Sequence, residues 1–323
     1  MFLTFASCSR DDIESPSSGA SDKFFNWTIS AVTTSGVSKI SQGDADNVFI
    51  AGTSSYRISR GVQTKINFGD STFTAYDVSA LDSSYAVFAG STTASLSPII
   101  KIYDNGSIQT YTVPGTTNKI TGLYVTERGK FFAGSYYQRN VFKFDFGAFS
   151  LLTIPAPGNA YLFGRINSTL YAVTSDAINS ARVIYRIDGG TLTAVRTESN
   201  SGNIFYAGSD FIKVESNGTA HKFFSFAETG WSDVCTYYAG SNNEYVSYVT
   251  GSSRNFFTTL ILTSGGYNAH VFGGGALTKQ ANFPSGVSGS TNPDDQQISL
   301  YNNNAFHFCY GNGTKILNGV YAQ

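Results

Sequence analysis

The feature that most constrains this chain is an internal repeat that starts at Phe24. Short alternating segments end in a small-residue doublet: Val48-Phe49-Ile50-Ala51-Gly52, Ala86-Val87-Phe88-Ala89-Gly90, Lys130-Phe131-Phe132-Ala133-Gly134 and Asn203-Ile204-Phe205-Tyr206-Ala207-Gly208. Weaker copies around Tyr171, Ser247 and His307 keep the strand and lose the doublet. With Ile50, Val87, Phe131, Tyr171, Phe205, Ser247 and His307 as landmarks, the steps are about 40 residues and the last is near 60. A unit of that length cannot bury its apolar face alone, so successive units must stack.

Each landmark strand is followed by two alternating strands around a glycine-containing turn. Ile99 to Tyr103 and Ile108 to Val113 flank Asn105-Gly106, Val183 to Ile187 and Leu192 to Arg196 flank Asp188-Gly189-Gly190, and Phe211 to Glu215 and Ala220 to Phe226 flank Asn217-Gly218. Asn-Gly and Asp-Gly supply the positive φ that tight hairpins need. Most landmarks have one more strand upstream, such as Val37 to Ser41, Tyr76 to Ala80, Ile120 to Val125, Tyr161 to Arg165 and Ile298 to Tyr301. Four strands per repeat make the blade of a β-propeller. The last repeat is one strand short, while Phe24 to Ile29 is a strand without a blade. An amino-terminal strand that completes the last blade removes the open edges. The expected fold is all-β: a seven-bladed β-propeller of four-stranded blades, closed by the amino-terminal strand, over residues 24–323. Six blades is the alternative, because Thr197 to Gly202 is too polar to supply a good first strand to the fifth repeat.

Composition agrees: 15% aromatic and 33 Gly against 13% charged residues favour strands and turns over helix surfaces. The 21 basic and 22 acidic side chains nearly cancel, which argues against a nucleic-acid partner held by bulk charge. No apolar run approaches the ~20 residues of a membrane span. Cys8, Cys235 and Cys309 share no zinc spacing, and His221, His270 and His307 are scattered, so neither a metal nor a cofactor is expected. Asp44, Asp46 and Asn47 begin like a calcium loop but lack its later Gly and Glu, and are read as turn residues. The sequons at Asn26, Asn105, Asn167, Asn217 and Asn312 are read first as hairpin chemistry. There is no nucleophile elbow, Walker loop or dinucleotide fingerprint, so a binder is expected before an enzyme.

At the amino end, Phe5-Ala6-Ser7-Cys8 follows a short apolar segment and resembles a bacterial lipobox, with residues 1–8 as a truncated signal and 9–23 as a flexible tether. The following Ser9, Arg10, Asp11 and Asp12 resemble the surface-export signal of Bacteroidetes-type lipoproteins. The resemblance implies lipidation at Cys8, membrane contact through that anchor alone, and an outer-membrane or cell-surface location, with a periplasm-facing one as the alternative. A plain polar tail is the competing reading. "DADNVFIAGT" at Asp44 to Thr53, "DSSYAVFAGS" at Asp82 to Ser91 and "RGKFFAGS" at Arg128 to Ser135 resemble the blade signature of the regulator-propeller and PQQ/WD40-like superfamilies. That motif is structural and carries a fold without a catalytic residue.

For binding, the polar stretch from Gly273 to Gln297, which holds Asp294 and Asp295, is expected to emerge on the ligand face of the ring. Tyr56, Tyr136, Tyr137, Arg139 and Arg254 follow landmark strands and Trp231 is assigned to a between-blade turn, so all are expected on that face. Tyr, Trp and Arg are suited to stacking on sugars or anchoring a protein. The expectation is a monomeric envelope binding module for a glycan or an envelope protein. The alternatives are a structural subunit of an envelope complex, or a propeller-type polysaccharide lyase or glycoside hydrolase, which would need facing carboxylates about 5 to 10 Å apart.

Overall fold

The structure is a computed structural model that describes residues 25–31, 37–95, 97–136, 140–155, 158–176, 181–199, 202–241, 243–285, 287, 297–301, 305–310 and 315–321. After β1 (Phe25–Ala31), blade 1 is β2 (Val37–Gln42), β3 (Asn47–Gly52), β4 (Tyr56–Ser59) and β5 (Val62–Lys65). Blade 2 is β6 (Thr74–Asp82), β7 (Tyr85–Ser91), β8 (Ile99–Asp104) and β9 (Ser107–Thr112). Blade 3 is β10 (Ile120–Glu127), β11 (Lys130–Ser135), β12 (Asn140–Asp145) and β13 (Ala148–Thr153). Blade 4 is β14 (Asn159–Ile166), β15 (Thr169–Asp176), β16 (Ala181–Asp188) and β17 (Thr191–Ser199). Blade 5 is β18 (Gly202–Tyr206), β19 (Phe211–Asn217), β20 (Ala220–Ala227) and β21 (Gly230–Tyr238), and blade 6 is β22 (Tyr245–Ser253), β23 (Phe256–Thr263), β24 (Gly266–Gly273) and β25 (Ala276–Lys279).

The remaining strands are β26 (Gln297–Tyr301), β27 (Ala305–Tyr310) and β28 (Lys315–Tyr321). β1 runs antiparallel to β28, with Phe25 opposite Tyr321 and Ala31 opposite Lys315, and completes a further four-stranded sheet in the order β1-β28-β27-β26. The described residues thus form seven four-stranded sheets, six from consecutive strands and this composite one. First strands pack on one another in turn, β2 on β6, then β10, β14, β18, β22, β26 and back to β2, so the sheets close a ring.

The core lies between the blades. Ala51, Ala89 and Ala133 are fully buried in β3, β7 and β11. The glycine after each of the last two has no room for a side chain: a Cβ on Gly90 would overlap the Thr74 carbonyl, and one on Gly134 the Ala160 carbonyl. The doublet therefore marks where strands approach too closely for anything larger.

The fourth doublet is different, and the landmark assignment is corrected there. Asn203 to Tyr206 lies in β18, a first strand, and Gly208 is in the β18–β19 turn at φ +63°. Ser247 also belongs to a first strand, β22. Blade 5 does have its own first strand, but it begins at Gly202, because the polar run from Thr197 is taken up by the outer strand β17. The Gly273 to Gln297 stretch is likewise not all solvated loop. It opens with β25, and Phe283 and Val287 pack with Phe25, Leu260 and Leu317.

Candidate functional site

In an antiparallel four-stranded blade, the turns after the first and third strands lie at one end. The turn after the second strand and the between-blade connection lie at the other. The ring therefore has a turn face and a loop face. On the turn face, residue pairs with consecutive positive φ close the hairpins at Arg60-Gly61, Asn105-Gly106, Phe146-Gly147, Asn167-Ser168 and Gly274-Gly275. These primed turns match the strand twist and leave little loop. Asp44 serves a turn there too, as its Oδ1 accepts from the Asp46 N–H at 2.9 Å and from Asn47 Nδ2 at 2.7 Å.

The loop face carries the longer connections, and the first strands are irregular near it. β2, β6, β10, β14 and β22 each have a bulge at their second or third residue: Ser38, Tyr76, Thr121, Tyr161 and Ser247. A bulge frees one residue from the ladder and re-aims it. Tyr76 bonds through its hydroxyl to Ser91 Oγ and carries Lys119 Nζ 4.7 Å from its ring centroid. Arg182 Nη2 donates to Asn203 Oδ1 at 3.0 Å, and burial raises the nearby Tyr161 phenol above its ordinary range. Lys39 and Asp77, at matching positions of β2 and β6, pair at 2.6 Å, and Asp77 Oδ1 also accepts the Val78 N–H at 2.7 Å. Cations and phenols from several blades thus collect near one end of the ring.

This face also presents exposed tyrosines. Tyr136, Tyr238 and Tyr245 are 40%, 50% and 43% exposed, and all three lie at this end. Tyr136 N–H donates to the Lys119 carbonyl at 2.7 Å. Tyr238 closes β21 and Tyr245 opens β22, so they flank one between-blade connection. A buried polar stack underlies them. Tyr237 donates to Glu244 Oε2 at 2.9 Å, with the His221 ring stacked on it at 6.0 Å and His270 edge-on at 5.1 Å. Burial holds both imidazoles below their ordinary range, His270 at about 3.

The residues singled out from the sequence divide between the faces. Tyr56 opens β4 on the loop face but is half-buried against the Val37, Ile40 and Ile50 cluster, whereas Tyr136 is exposed there. Trp231 and Arg254 lie on the turn face. Trp231 follows the β20–β21 turn, packs on Phe226 at 5.4 Å and is covered by Lys213 Nζ at 4.9 Å. Arg254 lies in the β22–β23 turn. Cys8, Tyr137, Arg139, Asp294 and Asp295 lie outside the described residues. Tyr238 and Tyr245 escaped the sequence reading because the blade 5 strands were placed one position out of phase. The signal was available, since Tyr237-Tyr238 and Tyr245 bracket a Gly- and Asn-containing segment.

Among the described residues, no three His, Cys, Asp or Glu side chains gather as a metal set. Several carboxylates are held in ion pairs. Arg128 bridges Asp82 and Asp104, Arg186 bridges Asp188 and Glu228, and Lys213 bridges Glu198 and Glu215. Asp210, on the turn face, is 7% exposed, and burial raises its carboxyl to about 6 against the opposing pull of Arg254.

No family model and no curated protein matches the chain. Solved structures do. YCF48 bound to D1 peptide superimposes with a TM-score of 0.64 at 12% identity over 92% of this chain and 97% of that one. Virginiamycin B lyase from Staphylococcus aureus gives 0.63 at 14%, over 92% and 100%. The β-propeller domain of Cps50 (Swd1) from Myceliophteria thermophila gives 0.64 at 9%, over 90% and 99%. At such identities the likeness is one of fold, and the fold is the β-propeller.

Proposed function

We propose that this propeller is a protein-interaction module of the cell envelope, tethered through Cys8, that holds a partner segment across its loop face. The observation that carries the face is the exposure of Tyr136 on blade 3 and of Tyr238 and Tyr245 at the blade 5 to blade 6 connection, all at the end with the longer connections and opposite an end closed by tight turns. Tyrosine offers a large apolar body and a polar tip at little conformational cost, which suits recognition. The ring supplies rigidity. Blades packed face to face, with the Tyr237, His221 and His270 stack beneath the exposed pair, fix the loop-face side chains before binding and reduce the ordering cost. A similar fold in YCF48 is seen with a peptide bound. The tether rests on the Phe5-Ala6-Ser7-Cys8 sequence and its polar sequel.

The test is photo-cross-linking in cells, with benzoylphenylalanine at position 136, 238 or 245 and, for comparison, at the turn-face positions 190 and 255. The reading expects one shared protein adduct from the loop-face positions only. Adducts from the turn face alone, or binding of the purified chain to a glycan array with no protein adduct, would overturn it. Cys8→Ala should move the chain out of the membrane fraction, and its retention there would remove the anchor.

A further inference from the structure

A depression of about 320 Å³ lies between blades 2 and 3 on the turn face, at the opposite end of the ring from Tyr136, Tyr238 and Tyr245. Its floor is apolar and buried: Tyr85, Ile102 and Phe144. The walls are held by specific contacts. The Gly129 N–H donates to the Tyr85 hydroxyl at 2.9 Å, and the Phe146 N–H donates to the Gly129 carbonyl at 2.9 Å, so blade 2 and both turns of blade 3 are tied together. Tyr111 stands edge-on to Phe144 at 4.8 Å and donates to Gln109 Oε1 at 3.0 Å, which fixes the Gln109 carboxamide at the rim.

Phe146 is the anomaly. It occupies the first position of a primed turn, at φ +44° ahead of Gly147 at φ +99°, and its side chain is 74% exposed. That position favours Asn, Asp or Gly, and a bulky side chain there is strained. Its ring lies over Gly129 on one side, with Lys130 Nζ 5.1 Å from its centroid, and remains otherwise open. The contacts with Gly129 and Lys130 still leave the ring 74% exposed at a strained turn, and serving as a wall of the depression gives that exposed surface a use.

The electrostatics narrow the occupant. The Arg128 guanidinium, 5.2 Å from the Tyr85 ring centroid, is bonded to Asp104 and pairs with Asp82 at 3.1 Å. Its charge is therefore met locally, and the depression offers neither an unbalanced cation for an anion nor a bare carboxylate cage for a cation. It does offer an aromatic face beside fixed donors and acceptors in a space at the small end of ligand sites. We propose that it binds one neutral pyranose ring, its C–H face against Phe146 and its hydroxyls toward Asp104, Gln109 and Arg128.

The test uses amide NMR of the full chain titrated to about 50 mM with methyl glucoside, galactoside, mannoside and N-acetylglucosaminide, a range suited to a single weak subsite. At least one pyranoside should give saturable shifts at Gly129 and Gly147. Phe146→Asn relieves the backbone strain, so it should hold or raise the melting temperature while weakening binding at least tenfold. Gln109→Ala should weaken binding severalfold, and Lys222→Ala, exposed on β20 of blade 5, should leave it unchanged. The proposal fails if no pyranoside saturates, if Phe146→Asn binds as the parent does, or if a short peptide and no pyranoside shifts these amides.

Discussion

The Asn282 carboxamide donates a hydrogen bond to the Phe25 carbonyl at 2.6 Å, joining the connection that leaves blade 6 to the strand that completes the composite sheet. Phe283 adds an edge-on contact with Trp27 at 5.1 Å. Ring closure therefore rests on a lateral clasp as well as on the β1–β28 ladder. Removing residues 1–31 should uncover Leu317 and the unpaired side of β28 and lower the melting temperature by more than about 10 °C. It should also produce concentration-dependent association in light scattering. Asn282→Ala alone should cost about 1–2 kcal/mol in denaturant melts. A truncated chain that stays monomeric with an unchanged melt would show that closure is dispensable.

The doublet glycines give a steric prediction. Gly90→Ala must push a methyl group into the Thr74 carbonyl and the Phe73 ring, with rigid backbone on one side. A loss of about 3 kcal/mol or more is expected, in the range of core overpacking. Gly190→Ala, where nothing lies within 4 Å, is the matched control and should change stability by less than about 0.5 kcal/mol. Equal effects at the two positions would contradict the close-approach account.

The same glycines show what sequence could and could not disclose. Ala51-Gly52, Ala89-Gly90 and Ala133-Gly134 were legible because blade packing admits only small residues at that level, and Asn105-Gly106 because its φ values suit few other residues. Ala207-Gly208 reads identically, yet Gly208 lies in a first-to-second-strand turn at positive φ, with the Gly251 and Ser252 backbone against it. The doublet alone does not tell a second strand from the turn that follows a first strand, which is why the landmarks shift by one strand at blade 5 and Trp231 falls on the turn face. The bulges at Tyr76 and Tyr161 were illegible for another reason. Register is a property of two strands paired, and an alternating segment does not reveal where its partner skips a residue.

Asp210 should make stability fall with rising pH. Its folded pKa, about 6, lies above the ordinary 3.8 because burial disfavours the carboxylate, so the folded state holds the proton more tightly. The associated stability is full below pH 3.8 and is lost as pH rises through 6. Asp210→Asn should therefore be more stable than the parent by about 2 kcal/mol at pH 8 and equal to it near pH 4. Arg254→Gln removes the opposing charge and should raise the Asp210 titration further. Denaturant melts at the two pH values check the first statement, and carboxyl-detected NMR the second. Parallel stability curves for parent and Asp210→Asn would refute both.

His270 acts in the opposite direction. It is 5% exposed on β24, its Nδ1 has no hydrogen-bond partner, and burial with the adjacent Lys279 holds its pKa at about 3 against an ordinary 6.5. The unfolded chain takes up a proton at a pH where the folded one does not. The stabilisation is full above pH 6.5 and is lost as pH falls through that value toward 3. Near pH 4.5 the loss should reach about 2–3 kcal/mol, each unit of separation counting for about 1.4. His270→Phe keeps a ring against Tyr237 and removes the titration, so its melting temperature should decline less than the parent's between pH 7 and 4.5. Because this stack underlies Tyr238 and Tyr245, partner binding at the loop face should weaken in step with the parent's acid limb and persist in the variant. Binding that declines equally in both would place the acid sensitivity elsewhere on the ring.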